Sequence, residues 1–182
     1  MTPHHHYELE LLLDLVSKYD FRSYLEIGCR NGMSFNFMSR AFRPAARMVA
    51  VEYPDGPWNG AQNNTLKNLI NVCKILSKNY DVQLVIGNSR TQDIIKTVNE
   101  LGPYDLIYID GDHTYEGVKA DWENYRSMGK MIAFDDIRNT IPSSTGDIPG
   151  VHKLWGEIKE QGYSWTELCA NGTDQGIGVI LL

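Results

Sequence analysis

Three apolar runs in this chain end in carboxylates: Val49-Ala50-Val51-Glu52, Leu106-Ile107-Tyr108-Ile109-Asp110 and Met131-Ile132-Ala133-Phe134-Asp135-Asp136. Short continuous apolar runs are the pattern of strands buried on both faces, as in a parallel sheet covered by helices. In such sheets ligands bind beyond the carboxyl ends of the strands. Acids delivered repeatedly to that edge suit a polyhydroxylated cofactor, a cation, or both.

The elements that must position these acids alternate along the chain. Leu9, Leu12, Leu13 and Val16 have helical spacing within Tyr7 to Lys18, and His4-His5-His6 before them reads as a disordered tail, so residues 1–6 are expected to lie outside the fold. A first strand, Tyr24 to Gly28, is followed by a helix from Met33 to Phe42, and a strand from Met48 to Glu52 by a loop and a helix carrying Leu66, Leu69, Ile70, Cys73 and Leu76. Further strands are expected at Val82 to Ile86, Asp105 to Asp110 and Met131 to Asp135, with helices at Gln92 to Leu101 and Tyr115 to Met128. Residues 138–150 read as a long loop, of the kind that often forms a lid, and Val151 to Gln161 as a helix. Trp165 to Cys169 and Gly176 to Leu182 are two last strands joined by a turn at Asn171-Gly172, with no helix between them, so one of them must run antiparallel. The pattern specifies one α/β domain over 1–182: a three-layer Rossmann-like sandwich around a mainly parallel seven-stranded sheet with an antiparallel C-terminal strand.

Leu25-Glu26-Ile27-Gly28-Cys29-Arg30-Asn31-Gly32 sets glycines where a strand turns into a helix, which lets backbone approach a ligand and aims N–H groups at it. Alone, this is equally the signature of a tight turn needing positive φ. Glu52, at the end of the second strand, makes the pair more specific, because a carboxylate there can accept both hydroxyls of a ribose. Arg30 holds the middle position of the loop and no third glycine stands at Phe35, so the dinucleotide fingerprint GxGxxG is absent. An adenosine cofactor without a pyrophosphate fits better.

On Glu26-Ile27-Gly28 to Gly32, Glu52, and Gly87-Asn88-Ser89 after the third strand, the chain resembles the class I S-adenosylmethionine-dependent methyltransferases over nearly its whole length. The resemblance implies S-adenosylmethionine across the first three strand ends. Gly28 and Gly32 would flank its methionine part, with Glu26, Arg30, Ser34 and Asp110 in the same binding set. Glu52 would hold the ribose, Asn88 or Ser89 would meet the adenine, and Tyr53 or Trp58 would cover the adenine edge.

Asp110, Asp135 and Asp136 come from strands expected to be neighbours, and buried strand-end carboxylates are costly unless paired or bound to a cation. Three oxygen donors would favour Mg²⁺, Mn²⁺ or Ca²⁺ over zinc. The competing reading has Asp135 and Asp136 bonding loop N–H groups and Asp112 capping the helix near Tyr115. The stretch Ile109 to Trp122, with the Asp-Asp pair, is similar to metal-dependent O-methyltransferases of the macrocin type and to proteins named for cephalosporin hydroxylase. The resemblance implies a divalent cation, such as Mg²⁺, on Asp110, Asp135 and Asp136, and methyl transfer to a hydroxyl of a small molecule or sugar. Asp110 or His113 would take the proton, although a histidine beside a helix start is also an ordinary structural residue. The rivals are a hydroxylase-like enzyme on the same scaffold, which would need an oxidant, and a catalytically silent cofactor- or glycan-binding module.

A formal net charge of −6, with 17 Lys and Arg against 23 Asp and Glu and no long basic run, argues against a nucleic-acid partner. No apolar run is long enough for a bilayer, so the expectation is a cytoplasmic protein without a membrane partner. Cys29, Cys73 and Cys169 are too scattered for a disulfide framework or zinc knuckle. The compact length leaves an open acceptor site or a contribution from a second subunit, so a homo-oligomer is also consistent. Trp122, Trp155 and Trp165 are expected in core or helix–sheet contacts, and Asn59, Asn63, Asn64 and Asn68 at a solvated helix start. Lys119, Arg126 and Lys130 are expected to face solvent.

Overall fold

The computed structural model describes residues 3–54, 56, 65–142, 146, 148–169 and 174–182. Trp58, Asn59, Asn63, Asn64 and the turn at Asn171-Gly172 lie outside the described residues. Helices α1 (Pro3–Val16), α2 (Met33–Met38), α3 (Thr65–Leu76), α4 (Gln92–Leu101), α5 (Tyr115–Tyr125) and α6 (Val151–Lys159) alternate with strands β1 (Ser23–Ile27), β2 (Arg47–Glu52), β3 (Asp81–Ile86), β4 (Tyr104–Ile109) and β5 (Gly129–Phe134). Strands β6 (Ser164–Leu168) and β7 (Ile177–Leu181) close the chain.

The seven strands form one sheet in the order β3-β2-β1-β4-β5-β7-β6. The first five are parallel, and β7 runs antiparallel to both β5 and β6. That is the expected sheet with its antiparallel C-terminal strand. The order reverses at β1, whose neighbours are β2 and β4, so the loops leaving β1, β2 and β4 diverge and open a crevice at their carboxyl ends.

Alternate side chains of the central strands feed two cores. Tyr24, Met48, Leu106, Tyr108 and Met131 meet Leu9, Leu12, Phe35, Met38 and Leu69 of α1 to α3. Leu25, Val49, Ile107, Ile109 and Phe134 meet Val98, Val118, Trp122, Leu154 and Trp155 of α4 to α6. Both faces of β4 are buried throughout, whereas the edge strand β6 is exposed over Ser164 to Thr166.

Four expectations change. Helix α1 begins at Pro3, taking in the histidines assigned to a tail; proline suits a first helical turn because its missing N–H has no intrahelical partner there. The helices after β1 and β4 each tighten into a short 3-10 turn, Ser39–Ala41 and Arg126–Met128. Trp165 is 48% exposed, because it sits on the edge strand, where it meets the ring edge of Trp155 at 6.4 Å. Lys130 is more than a solvent charge: its Nζ lies 2.6 Å from buried Asp105, which also accepts the backbone N–H groups of Arg22 and Ser23 and so ties the lower ends of β1, β4 and β5.

Glu167 on β6 accepts from Trp155 Nε1 at 2.8 Å, Lys159 Nζ at 2.9 Å and Arg138 Nη2 at 2.9 Å. Burial pushes its carboxyl up, but the hydrogen bonds from Lys159, Trp155 and Arg138 hold it down at about 2 against a usual 4.5. A depressed carboxylate contributes stability that is fully present above pH 4.5 and is lost as pH falls toward 2. Partial exposure reduces that contribution to about 1–2 kcal/mol. Glu167→Gln is therefore expected to lower stability at pH 7 by that amount and to flatten the loss between pH 4.5 and 2, read from urea unfolding across that range.

Candidate functional site

A cavity of about 490 Å³ opens over the carboxyl ends of β1 to β5. Ligand pockets of small-molecule enzymes are of this size. Of the expected site residues, Gly28, Arg30, Ser34, Glu52, Tyr53, Asn88, Ser89, Asp110, His113, Asp135 and Asp136 line it; Glu26 and Gly32 do not.

Gly28 has φ of 91° and its N–H bonds Val51 O at 2.9 Å, holding the turn out of β1 against β2. A Cβ at Gly28 would stand 2.1 Å from the backbone oxygen of Asp110, so only glycine lets the β1 and β4 ends approach this closely. Gly32, also at positive φ, serves a different purpose: a Cβ there would meet Leu69 and Val72, so its bareness lets α2 start against α3 rather than face the cavity.

Glu26 faces away because the strand period puts it with Tyr24, on the α1 to α3 side. It is fully buried, its Oε1 accepting from Ser34 Oγ at 2.6 Å and its Oε2 from the Tyr24 hydroxyl. Burial lifts its carboxyl to about 8, against those two hydrogen bonds, and through them Glu26 ties β1 to α2 beneath the cavity.

Glu52 ends β2, only 4% exposed, and its Oε2 accepts the backbone N–H of Arg30, a residue held at φ 50°. The middle position of the glycine loop thus contributes main chain: Arg30 fixes the carboxylate at the cavity wall. On the far side of β2, Ser89 donates its hydroxyl to Asp121 Oδ1 of α5 at 2.6 Å, and Tyr125 of the same helix donates to Ser89 O at 2.5 Å. Asn88 Oδ1 accepts Arg90 N at 3.0 Å, and Arg90 reaches Asp112 at 3.2 Å, joining the loops after β3 and β4.

The acidic end of the cavity is crowded. His113 Nε2 lies 3.1 Å from Asp110 Oδ1 and its Nδ1 lies 3.2 Å from Asp136 Oδ2. Asp135 Oδ1 accepts from the Tyr108 hydroxyl at 2.8 Å. Burial, then the neighbouring charges of Asp110 and Asp136, push the Asp135 carboxyl well above its usual value. Burial opposes charge on His113, but its hydrogen bonds to Asp110 and Asp136 raise it well above 6.5, so the imidazole is cationic while flanked by both acids.

One ligand atom each from Asp110, His113 and Asp135 lie within 4.8 Å of one another. The group that converges is thus two carboxylates and an imidazole. Asp136, expected as a third donor, instead turns to His113 and to Asn139 Nδ2 at 3.1 Å through a left-handed φ of 57°. Asp112 is not the cap of α5 either. Thr114 is, accepting Gly117 N at 3.1 Å, and Asp112 braces it by accepting Thr114 N at 3.0 Å.

Sequence reasoning missed Asp112, Asn139, Ile141, Pro149 and Gln175 as wall residues. Ile141 and Pro149 belong to the loop singled out by its length, and that length was the available signal. Gln175 precedes β7 and carried none.

Residues 25–137 match a family model described as a methyltransferase domain. An uncharacterized protein of Acanthamoeba polyphaga mimivirus is 28% identical over 164 residues, covering 88% of this chain and 71% of that protein. The fold is similar to an O-methyltransferase from Bacillus cereus in complex with SAH, at TM-score 0.68 and 20% identity, covering 100% of this chain and 82% of that one. It is similar also to a cofactor-bound protein from MTB, at TM-score 0.73 and 22% identity over 95% of this chain and 78% of that one. A third likeness is to the O-methyltransferase TomG from Streptomyces achromogenes, involved in tomaymycin synthesis and in complex with SAM, at TM-score 0.67 and 15% identity over 96% and 78%. With more than half its length matched by the family model and the sheet order of the class, the chain belongs to the class I S-adenosylmethionine-dependent methyltransferases.

Proposed function

We propose that the protein is an O-methyltransferase that uses S-adenosylmethionine to methylate a hydroxyl of a small molecule or sugar, assisted by a divalent cation. The observation that carries this reading is the division of one cavity: the Gly28 turn and Glu52 at one end, the Asp110, His113 and Asp135 group at the other.

The residues fit both groups. A bare Gly28 and a buried, backbone-braced Glu52 suit a nucleoside, with Glu52 accepting the ribose hydroxyls and Ser89 at the base. Three acids crowded around one imidazole suit a cation, which would be held by Asp110, Asp135 and His113, while Asp136 orients the imidazole. S-adenosylmethionine supplies, when bound, a methyl group already activated by its sulfonium. A divalent cation such as Mg²⁺ supplies, when bound, positive charge that lowers the pKa of a nearby hydroxyl.

The chain's own contribution is then position and proton acceptance. The cavity brings acceptor and methyl donor together in one geometry, which is where most of the acceleration of such a transfer comes from. The acceptor's proton goes to the carboxylate of Asp110, whose second oxygen stays free for it, because His113 is already cationic without the metal and gives a ring nitrogen to the cation with it.

Glu52→Ala is expected to weaken S-adenosylhomocysteine binding by about 10²-fold, the value of two charge-assisted hydrogen bonds to a diol, with the fold retained. The reading as a whole is tested by incubating the protein with methyl-labelled cofactor and a panel of hydroxylated small molecules. Transfer that falls at least about tenfold in chelator and returns with Mg²⁺ supports it. Transfer undiminished in chelator removes the cation, and cofactor binding with no transfer to any acceptor favours a silent binding module.

A further inference from the structure

Asp121 sits in the middle of α5 and is 1% exposed. A carboxylate that served only to close a helix onto a strand would have both oxygens paired, because an unpaired buried acceptor costs stability. Asp121 has one paired oxygen. Its Oδ1 accepts from Ser89 Oγ at 2.6 Å, while its Oδ2 has no hydrogen-bond partner among the described residues and lies 3.4 Å from where a Cβ on Gly111 would stand. Both Ser89 and Gly111 line the cavity.

Helix α5 therefore grips Ser89 twice, main chain through Tyr125 and side chain through Asp121. The second grip has a chemical consequence. A serine hydroxyl carries one proton and two lone pairs, and an ionised carboxylate only accepts. Burial lifts Asp121 to about 6, while its bond to Ser89 and the charge of Arg90 hold it from going higher, so at pH 8 it is ionised and accepts the serine's O–H as a hydrogen bond. Ser89 lines the cavity, and its hydroxyl oxygen then has only lone pairs to offer a ligand there.

We propose that Asp121 is a positioning residue that fixes the Ser89 hydroxyl as a hydrogen-bond acceptor, so that the site selects a purine bearing a 6-amino donor over one bearing a 6-oxo acceptor. This rests on the cofactor reading above: with Glu52 on the ribose, the base extends past β2 to the end of β3, where Ser89 stands.

The test is calorimetry at pH 8 with S-adenosylhomocysteine and its 6-oxo analogue S-inosylhomocysteine, on wild type, Asp121→Asn and Ser89→Ala. Wild type is expected to prefer the amino form by about thirtyfold, within the range for a site that hydrogen-bonds one ligand and leaves the other unpaired. Asn can donate to Ser89 and release its proton, and alanine removes the acceptor, so both variants are expected to bring the ratio within about threefold. The ratio is read on one preparation, so any loss of folded protein cancels. A wild-type ratio near one, or a ratio that survives in both variants, overturns the role of Asp121 and leaves the cofactor reading standing. Failure of wild type to bind either ligand overturns the cofactor reading, and the role of Asp121 with it.

Discussion

Asp135→Asn is expected to lower methyl transfer by about 10³-fold while making the cation-free protein harder to melt. The two effects have one cause. Asp135 is buried beside Asp110 and Asp136, and its carboxyl is held well above its usual value by burial first and by those charges second. A carboxyl raised in the folded state binds more protons there than in the unfolded chain, so stability falls as pH rises from the unfolded value through the folded one. At pH 7 the fold carries that penalty. Asparagine keeps an oxygen for the Tyr108 hydroxyl, now 2.8 Å from Asp135 Oδ1, and removes the charge. A gain of about 1–3 kcal/mol in chelator follows, worth several degrees in a chain of this size. The same change removes one of the three proposed cation donors, so the rise in melting temperature expected from Mg²⁺ in wild type should shrink or vanish in the variant. Differential scanning calorimetry with and without Mg²⁺, beside a turnover assay, reads both signs. A variant less stable than wild type in chelator would mean that Asp135 is a structural acid already well paired.

Gly28→Ala is expected to destabilise the protein by about 4 kcal/mol. Two costs add. An L residue at φ 91° is strained by about 1–2 kcal/mol. The added methyl would also stand 2.1 Å from the oxygen and 2.5 Å from the carbon of the Asp110 carbonyl and 2.6 Å from the Gly111 Cα, all of them backbone. Backbone at the end of a central parallel strand cannot rotate aside as a side chain can, so β1 and β4 must part where Asp110 enters the cavity. Gly162 provides the control: its φ is 82° and a Cβ there meets nothing within 4 Å. Gly162→Ala should cost only the conformational part, about 1 kcal/mol, and the difference in urea midpoint between the two variants isolates the clash. The Gly28 variant should also lose turnover beyond its loss of folded protein, because the displaced backbone carries Asp110.

Most of the architecture was legible because the forces that build it leave local marks. Helices α3 and α4 show apolar residues at helical spacing, and the acid-tipped runs are the central strands themselves. Gly28 and Glu52 were legible as neighbours in one cavity because a glycine turn after the first parallel strand and an acid at the tip of the second must meet at the same sheet edge. Which face a residue takes was harder. In a strand buried on both sides alternation does not tell one face from the other: the period pairs Glu26 with Tyr24, but nothing local says that their face lies below the cavity. Asp136 is directed by a left-handed backbone turn that brings it to His113, 23 residues earlier in a different loop. Asp121 in mid-helix has the pattern of a solvated acid, and its bond to Ser89 spans 32 residues. Such pairings depend on where two elements land, which local propensity does not encode.

The central claim is that the Gly28 turn and Glu52 form a nucleoside site, and titration calorimetry of S-adenosylhomocysteine into wild-type protein tests it most directly. One molecule should bind per chain with a dissociation constant of about 1–100 μM, and Glu52→Ala should weaken it by about 10²-fold. Absence of heat from the wild type at millimolar ligand, or equal binding by both proteins, would contradict the claim.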